Sequence, residues 1–240
     1  MKYLELTYSD AAQNLACDEA LLEVFEQSCS GEELLRIWQP DKFFVVLGHG
    51  NKWLEEVVTS ACAADEVPVL RRCSGGGTVL QGPGCLNYSL ILRQNNSASS
   101  SVRDAFDFVL GRHRSCLEGL IGTPVSIKGI SDLTLGERKF SGNAQYRKRQ
   151  YVLVHGTFLL DFDLRSMEKF LKIPTKQPDY RRQRGHNEFL ANLKIEVEIL
   201  RGALRSCWSA KVGFDAKPLE RIIQGLLRER YQCREWNEKF

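Results

Sequence analysis

The 240-residue chain has no apolar run approaching the length of a membrane-spanning helix. Its first residues, Met1 to Asp10, carry neither a basic start nor an apolar stretch of signal-peptide length. None of its eight cysteines forms a C-x-x-C pair, which speaks against a zinc ribbon. A formal net charge of +3 is too small for a general nucleic-acid binder. No internal repeat is visible. These absences predict a cytoplasmic chain with reduced thiols and neither a membrane nor a nucleic-acid partner. What is present, 43% hydrophobic and 26% charged residues, suits one large globular domain with a sizeable core.

One stretch organises the rest. Arg71-Arg72-Cys73-Ser74-Gly75-Gly76-Gly77-Thr78-Val79 lies between an apolar run, Val67 to Leu70, and an alternating run, Leu86 to Leu92. Both runs read as strands, so the unit is strand, glycine loop, strand. Consecutive glycines carry no side chains to keep a ligand off the backbone, and free N–H groups there can form an anion-binding concavity. Arg71 and Arg72 add charge in a geometry that suits carboxylate or phosphate. Neighbours on a strand point to opposite faces, so only one of the two arginines is expected to face the loop. The alternative is a glycine-rich hairpin with solvated arginines, but tight hairpins rarely need three glycines and two arginines together.

Periodicity sets the remaining elements. Lys2 to Tyr8 alternates as a strand. Asp10 can cap a helix whose apolar stripe is Cys17, Ala20, Leu21 and Val24, with Glu19, Glu23 and Glu26 solvated. Leu34 to Trp38 and Phe43 to Leu47 read as strands, ending in the turn Gly48-His49-Gly50-Asn51, where a structural His49 is expected. Trp53 to Ala64 reads as one helix, and Asn95 to Ser101 as a surface loop. Phe106, Val109, Leu110, His113 and Leu117 form a helical face, with His113 buried or at its edge. Four strands follow: Val125 to Lys128, Leu133 to Leu135, Arg138 to Tyr146 and Tyr151 to Leu160. A short helix over Leu164 to Leu171 precedes a polar, mobile loop over Pro174 to Asn187, and two helices close the chain. Strands in the middle with helices around them predict an α+β class with a mixed, mainly antiparallel sheet.

The glycine stretch, followed by Gly84-Cys85-Leu86-Asn87-Tyr88-Ser89, resembles the signature of the lipoate–protein ligases, in the biotin/lipoate ligase and octanoyltransferase superfamily. A second block, Gly136-Glu137-Arg138-Lys139-Phe140-Ser141-Gly142-Asn143-Ala144 followed by His155-Gly156-Thr157, looks like that family's Lys-(Ile/Phe)-Ser-Gly-(Asn/Ser)-Ala segment and its His-Gly strand. The resemblance implies a sheet flanked by helices like the biotin/lipoate ligase catalytic domain. It also implies one catalytic domain over residues 1–240, without a C-terminal accessory domain. The implied substrates are ATP with Mg²⁺ and lipoate or octanoate. The implied partner is a lipoyl-carrier protein, with a separate accessory subunit as an option.

By the same resemblance, Lys139 is the catalytic residue, bridging acyl carbonyl and α-phosphate. Arg72 contacts the adenylate, and Gly77, Thr78, Val79 and Leu80 line the nucleotide and acyl groups. Ser74, Gly75, Gly76, Asn87, Ser141, Gly142, His155 and Gly156 complete the binding set, and Asp132 is the candidate for Mg²⁺. Gln81-Gly82 stands where the family often has His-Asp, so a nucleotide-site hydrogen bond is expected to be lost or rerouted through Gln81. Two rival functions remain. One is an octanoyl- or lipoyltransferase holding a thioester on Cys73 or Cys85, with Arg72 lowering a thiol pKa. The other is a non-catalytic subunit that binds the adenylate or the carrier. A biotin ligase is disfavoured, because its Gly-Arg-Gly-Arg loop is replaced here.

Overall fold

The computed structural model describes residues 1–28, 30–94 and 101–240. Its first half runs β1 (Lys2–Glu5), α1 (Ala11–Ser28), β2 (Leu34–Trp38), β3 (Phe44–Leu47), α2 (Trp53–Glu56), α3 (Thr59–Ala64), β4 (Val69–Arg71), β5 (Val79–Gln81) and β6 (Cys85–Arg93). There follow α4 (Val102–Ile121), β7 (Ser126–Lys128), β8 (Asp132–Leu135), β9 (Arg138–Arg147), β10 (Tyr151–Leu159), α5 (Arg165–Phe170) and α6 (His186–Phe189). The last elements are α7 (Val197–Cys207), β11 (Val212–Gly213), α8 (Glu220–Leu226) and α9 (Arg234–Asn237).

Among the described residues the strands form two sheets. The larger has the order β11-β1-β2-β6-β10-β9-β8-β7 and is antiparallel except where β1 meets β11 and β2. The smaller has the order β4-β3-β5. Strand parity assigns each residue to a layer. Leu35, Leu90 and Val154 face α4 and α7, whereas Leu34, Ile91 and Leu153 face α1 and α8. Val46 joins that second layer, and Val45 turns the other way onto Cys62, Met167, Phe170 and Phe189. With both faces covered, β6 and β10 are buried almost throughout.

Several expectations hold. Asp10 accepts from the Ala12 N–H at 2.9 Å, as an N-terminal cap should. His113 is fully buried and accepts from the Trp208 indole at 2.9 Å. The disfavoured hairpin alternative for the glycine unit is ruled out, since β4 and β5 lie on either side of β3. Other expectations need correction. Glu19 is fully buried rather than solvated: the Tyr231 hydroxyl donates to it at 2.6 Å and Arg230 pairs with it. The helix expected over Trp53–Ala64 breaks at Val57, which is extended and pairs with Leu171. Two β-branched residues in a row, Val57 and Val58, suit that extended break. Residues 174–187, read as a loop, contain a 3₁₀ turn at Asp179–Arg181 and the buried side chains of Arg181 and His186. The loop expected over Asn95 to Ser101 lies outside the described residues except for Ser101, which caps α4 through the Asp104 N–H at 3.0 Å. No helix among the described residues is long and apolar enough to cross a membrane.

Candidate active site

The glycine loop, the strands β5, β6, β8, β9 and β10, and residues 172–190 enclose a cavity of about 870 Å³. One part of its wall is apolar, from Leu15, Trp38, Val46, Val79, Leu80 and Leu159. Another is polar and charged, from Lys139, Asp132, Asn143, Gln81 and Arg72. Of the residues expected from sequence, Arg72, Gly76, Gly77, Thr78, Val79, Leu80, Asn87, Asp132, Lys139, Ser141, Gly142, His155 and Gly156 all line this space. Ser74 and Gly75 are not on its wall. Ser74 is fully buried beneath the loop, while Gly75 lies exposed.

Parity separates the two arginines as expected. Arg72 turns to the cavity, and Arg71 turns away and is fully buried. The Arg72 guanidinium is already engaged. It donates to the Gly75 carbonyl at 2.5 Å, the Gly77 carbonyl at 2.9 Å and Ser74 Oγ at 3.0 Å. Burial pushes its pKa down, to about 10, which still leaves it charged near neutrality. Arg72 thereby ties the carbonyls of the loop together from the cavity side. Ser74 Oγ lies 2.6 Å from His155 Nε2. Because Ser74 accepts from Arg72, its hydroxyl proton is free to go to His155, which then carries its own proton on Nδ1. Burial and the nearby Arg72 charge hold His155 down at about 3, so the ring is neutral.

Lys139 sits near the start of β9, and its Nζ lies 2.7 Å from Asp132 Oδ1 on the adjacent β8. The Tyr180 hydroxyl donates to Asp132 Oδ2 at 2.7 Å. A Cβ on Gly142 would lie 2.7 Å from Lys139 Nζ, so the glycine makes room for the ammonium. Gly156 serves Asn143 likewise, with a Cβ there 1.8 Å from Asn143 Oδ1. The Asn143 amide accepts from the Tyr88 hydroxyl at 2.7 Å and donates to the Ser131 carbonyl at 2.7 Å. Gln81, Asn87 and Thr157 close a small ring: Gln81 Nε2 to Thr157 Oγ1 at 2.6 Å, Thr157 Oγ1 to Asn87 Oδ1 at 2.5 Å, and Asn87 Nδ2 to Gln81 Oε1 at 3.0 Å.

Sequence reasoning missed three parts of the wall. Asn143 lay inside the second block and could have been found there. Thr157 was signalled only through its strand. Tyr180 had no local signal, because it reaches Asp132 from 48 residues away. Among the described residues no group of three or more His, Cys, Asp or Glu side chains could hold a metal. Asp132 is thus a single carboxylate, a donor set that fits Mg²⁺ only when substrate phosphates and water supply the other ligands.

No cysteine among the described residues lines the cavity. Cys73 lies past the end of β4 and packs into the layer under α1, in the same cluster as Leu70. Burial pushes its thiol well up, outweighing Arg72. Burial likewise pushes the Cys85 thiol up, to about 12. Neither is a ready nucleophile.

The family described as the lipoyl protein ligase A/B catalytic domain matches residues 10–202. A probable lipoate-protein ligase A of Mycoplasma pneumoniae is 32% identical over 67% of this chain. The chain spans about half the length of such relatives, 45% of the Mycoplasma protein. The octanoyltransferase LipM of Oceanobacillus iheyensis is 27% identical over 98% of this chain and 93% of its own length. Among solved structures, the bi-partite lipoate protein ligase of Thermoplasma acidophilum, described with its E2 lipoyl domain, superposes with a TM-score of 0.83 at 21% identity, covering 99% of this chain and 95% of that one. A lipoate-protein ligase A bound with ATP gives 0.79 at 22% identity, covering 99% and 98%. These two likenesses show a shared fold.

Proposed function

The chain belongs to the lipoyl protein ligase A/B catalytic family, and from that premise we propose that it activates lipoate or octanoate with ATP and passes the acyl group to a lysine of a lipoyl-carrier protein. The carboxylate oxygen attacks the α-phosphate, pyrophosphate leaves, and an acyl-adenylate forms. The lysine amine then attacks the acyl carbon, an amide forms, and AMP leaves with the bond electrons while the amine loses a proton. The observation that carries this reading is a single cavity with an apolar wall, a glycine loop and the Lys139 ammonium. The apolar wall suits the acyl chain, at about 0.8 kcal/mol for each buried CH₂. Lys139 stabilises the charge on the acyl and phosphate oxygens as it grows. Arg72 acts on the nucleotide by fixing the loop and through its charge. Asp132 holds the ammonium in place and is the carboxylate for a magnesium ion that arrives with the nucleotide.

The full-length likeness to an octanoyltransferase favours a second reading, transfer through an enzyme thioester. The positions of Cys73 and Cys85, buried and off the cavity wall, weigh against it. Residues 1–240 serve in this proposal as one catalytic domain, in the cytoplasm. By analogy with the bi-partite Thermoplasma ligase, a separate accessory chain is a candidate partner beside the carrier. The deciding experiment is ATP–pyrophosphate exchange with and without lipoate, combined with intact mass of the enzyme after incubation with acyl donors. Lipoate-dependent exchange, retained in the Cys73→Ser/Cys85→Ser double variant, is the expected result. Absent exchange together with an acyl adduct lost on replacing one cysteine would establish the transferase instead.

A further inference from the structure

The glycine loop has little to order it from within. Gly75 and Gly77 have open space where a side chain would be, and glycine loses more freedom on ordering than any other residue. Its order must come from what it rests on. Arg72 holds it from the cavity side. On the other side it rests on the turn 48–51: the His49 N–H donates to the Ser74 carbonyl at 2.8 Å, and Asn51 Nδ2 donates to Thr78 Oγ1 at 3.0 Å. The Gly48 Cα lies so close to Gly76 that a Cβ would sit 2.0 Å from its carbonyl oxygen.

That turn is in turn held by Arg71. Arg71 Nη1 donates to the carbonyls of Gly48 at 3.0 Å, His49 at 3.1 Å and Asn51 at 2.7 Å. Its remaining donors go to the C-terminal helix α9, from Nε to the Trp236 carbonyl and from Nη2 to the Asn237 carbonyl, each at 3.0 Å. The helix also grips the backbone of β4, an edge strand. Trp236 Nε1 donates to the Arg71 carbonyl at 2.8 Å, and Asn237 Oδ1 accepts from the Arg71 N–H at 2.8 Å. The Trp236 ring stacks near His49, with centroids 5.5 Å apart. One continuous path therefore runs from α9 through Arg71 and the turn to the loop.

We infer that Trp236 and Asn237 are positioning residues: through Arg71 they set the turn on which the glycine loop rests, and so set how well the loop holds nucleotide phosphates. The inference rests on reading that loop as the nucleotide cradle. It is tested on the full chain with Trp236→Ala, Trp236→Phe and Asn237→Leu. Glu235→Ala, exposed on the same helix, is the control. Two measurements are made, the ATP KM in lipoate-dependent pyrophosphate exchange and amide hydrogen exchange along the chain. Trp236→Ala and Asn237→Leu should raise the ATP KM by at least about tenfold, a modest share of what an ångström of misplacement costs. Amides of residues 48–51 and 74–78 should exchange faster, with β6 and β10 unchanged. Trp236→Phe keeps an aromatic ring but loses the bond to the Arg71 carbonyl and part of the indole's contact area, so it should fall between, and it serves if the larger changes prevent folding. Faster exchange confined to α9 with a wild-type KM would overturn the assignment, and so would a uniform speeding of every strand. If the wild-type enzyme gave no lipoate-dependent exchange, the nucleotide reading would fail, and the amide measurements alone would still decide whether α9 orders the loop.

Discussion

Lys139 is where the proposed chemistry concentrates. Its ammonium is held by Asp132 at the cavity wall, with the side chain about one quarter exposed. Without the lysine, Asp132 still accepts from the Tyr180 hydroxyl and still faces the cavity, so no buried carboxylate is left without a partner. Removing the lysine should therefore spare the fold and strike the reaction. Lys139→Ala is expected to slow both adenylate formation and transfer by at least about a hundredfold, comparable to losing one oxyanion donor. Lys139→Arg should not rescue, because a planar fork replaces a compact point donor. Carrier lipoylation is measured from lipoate plus ATP and from preformed lipoyl-adenylate. Near wild-type rates in both assays would make Lys139 an ordinary ion-pair partner. At the same scale, Cys73 lies just past the end of β4 and packs into the core under α1, off the cavity wall.

Strands β8, β9 and β10 form the element on which Lys139 depends. Their register sets Gly142 opposite both Asp132 and Thr157. A methyl group at Gly142 would meet the far end of the flexible Lys139 side chain and no backbone. Gly142→Ala should therefore fold, push the ammonium away from Asp132 and lower acyl transfer by about tenfold or more. Gly84→Ala is the contrast: φ there is +88°, and a Cβ would lie 2.3 Å from the Asp161 carbonyl oxygen. It should destabilise by several kcal/mol, about 3 or more, through backbone strain and clash. Urea denaturation of both variants beside the transfer assay checks the pair. A Gly142→Ala protein as unstable as Gly84→Ala would mean that the glycine serves folding rather than the site.

Folding the whole molecule buries His113 fully and His155 in part, and neither ring stays charged there. Burial holds His113 at about 3, helped by Arg112, and holds His155 at about 3, helped by Arg72. Both lie below the unfolded value near 6.5, so the unfolded chain binds more protons as pH falls. Their contribution is complete above about pH 6.5 and is lost progressively toward pH 3. Each can cost at most about 1.4 kcal/mol per pH unit within that window. The urea midpoint should therefore be level above pH 7 and decline between pH 6.5 and 5. His113→Leu should reduce the slope without abolishing it, because His49, His155 and His186 are also held below the ordinary value by burial. A midpoint unchanged from pH 7 to 5 would contradict the burial of both rings.

The sequence by itself determined the element types and the two blocks of the site, because both are local. Period-two alternation marked β1 and the run that forms β6, and the glycine stretch and the Lys139 segment each lie within about ten residues. It also determined that Arg71 and Arg72 must part company, since parity follows from strand geometry alone. Only the tertiary structure decided what each arginine then meets: loop carbonyls for Arg72, and for Arg71 a helix 165 residues away. The same holds for Glu19, whose partners Arg230 and Tyr231 turn a nominally solvated position into a buried one. It holds too for Tyr180 over Asp132 and for the break at Val57. In each case the deciding contact is long-range, and a pattern read a few residues at a time has no access to the partner that supplies it.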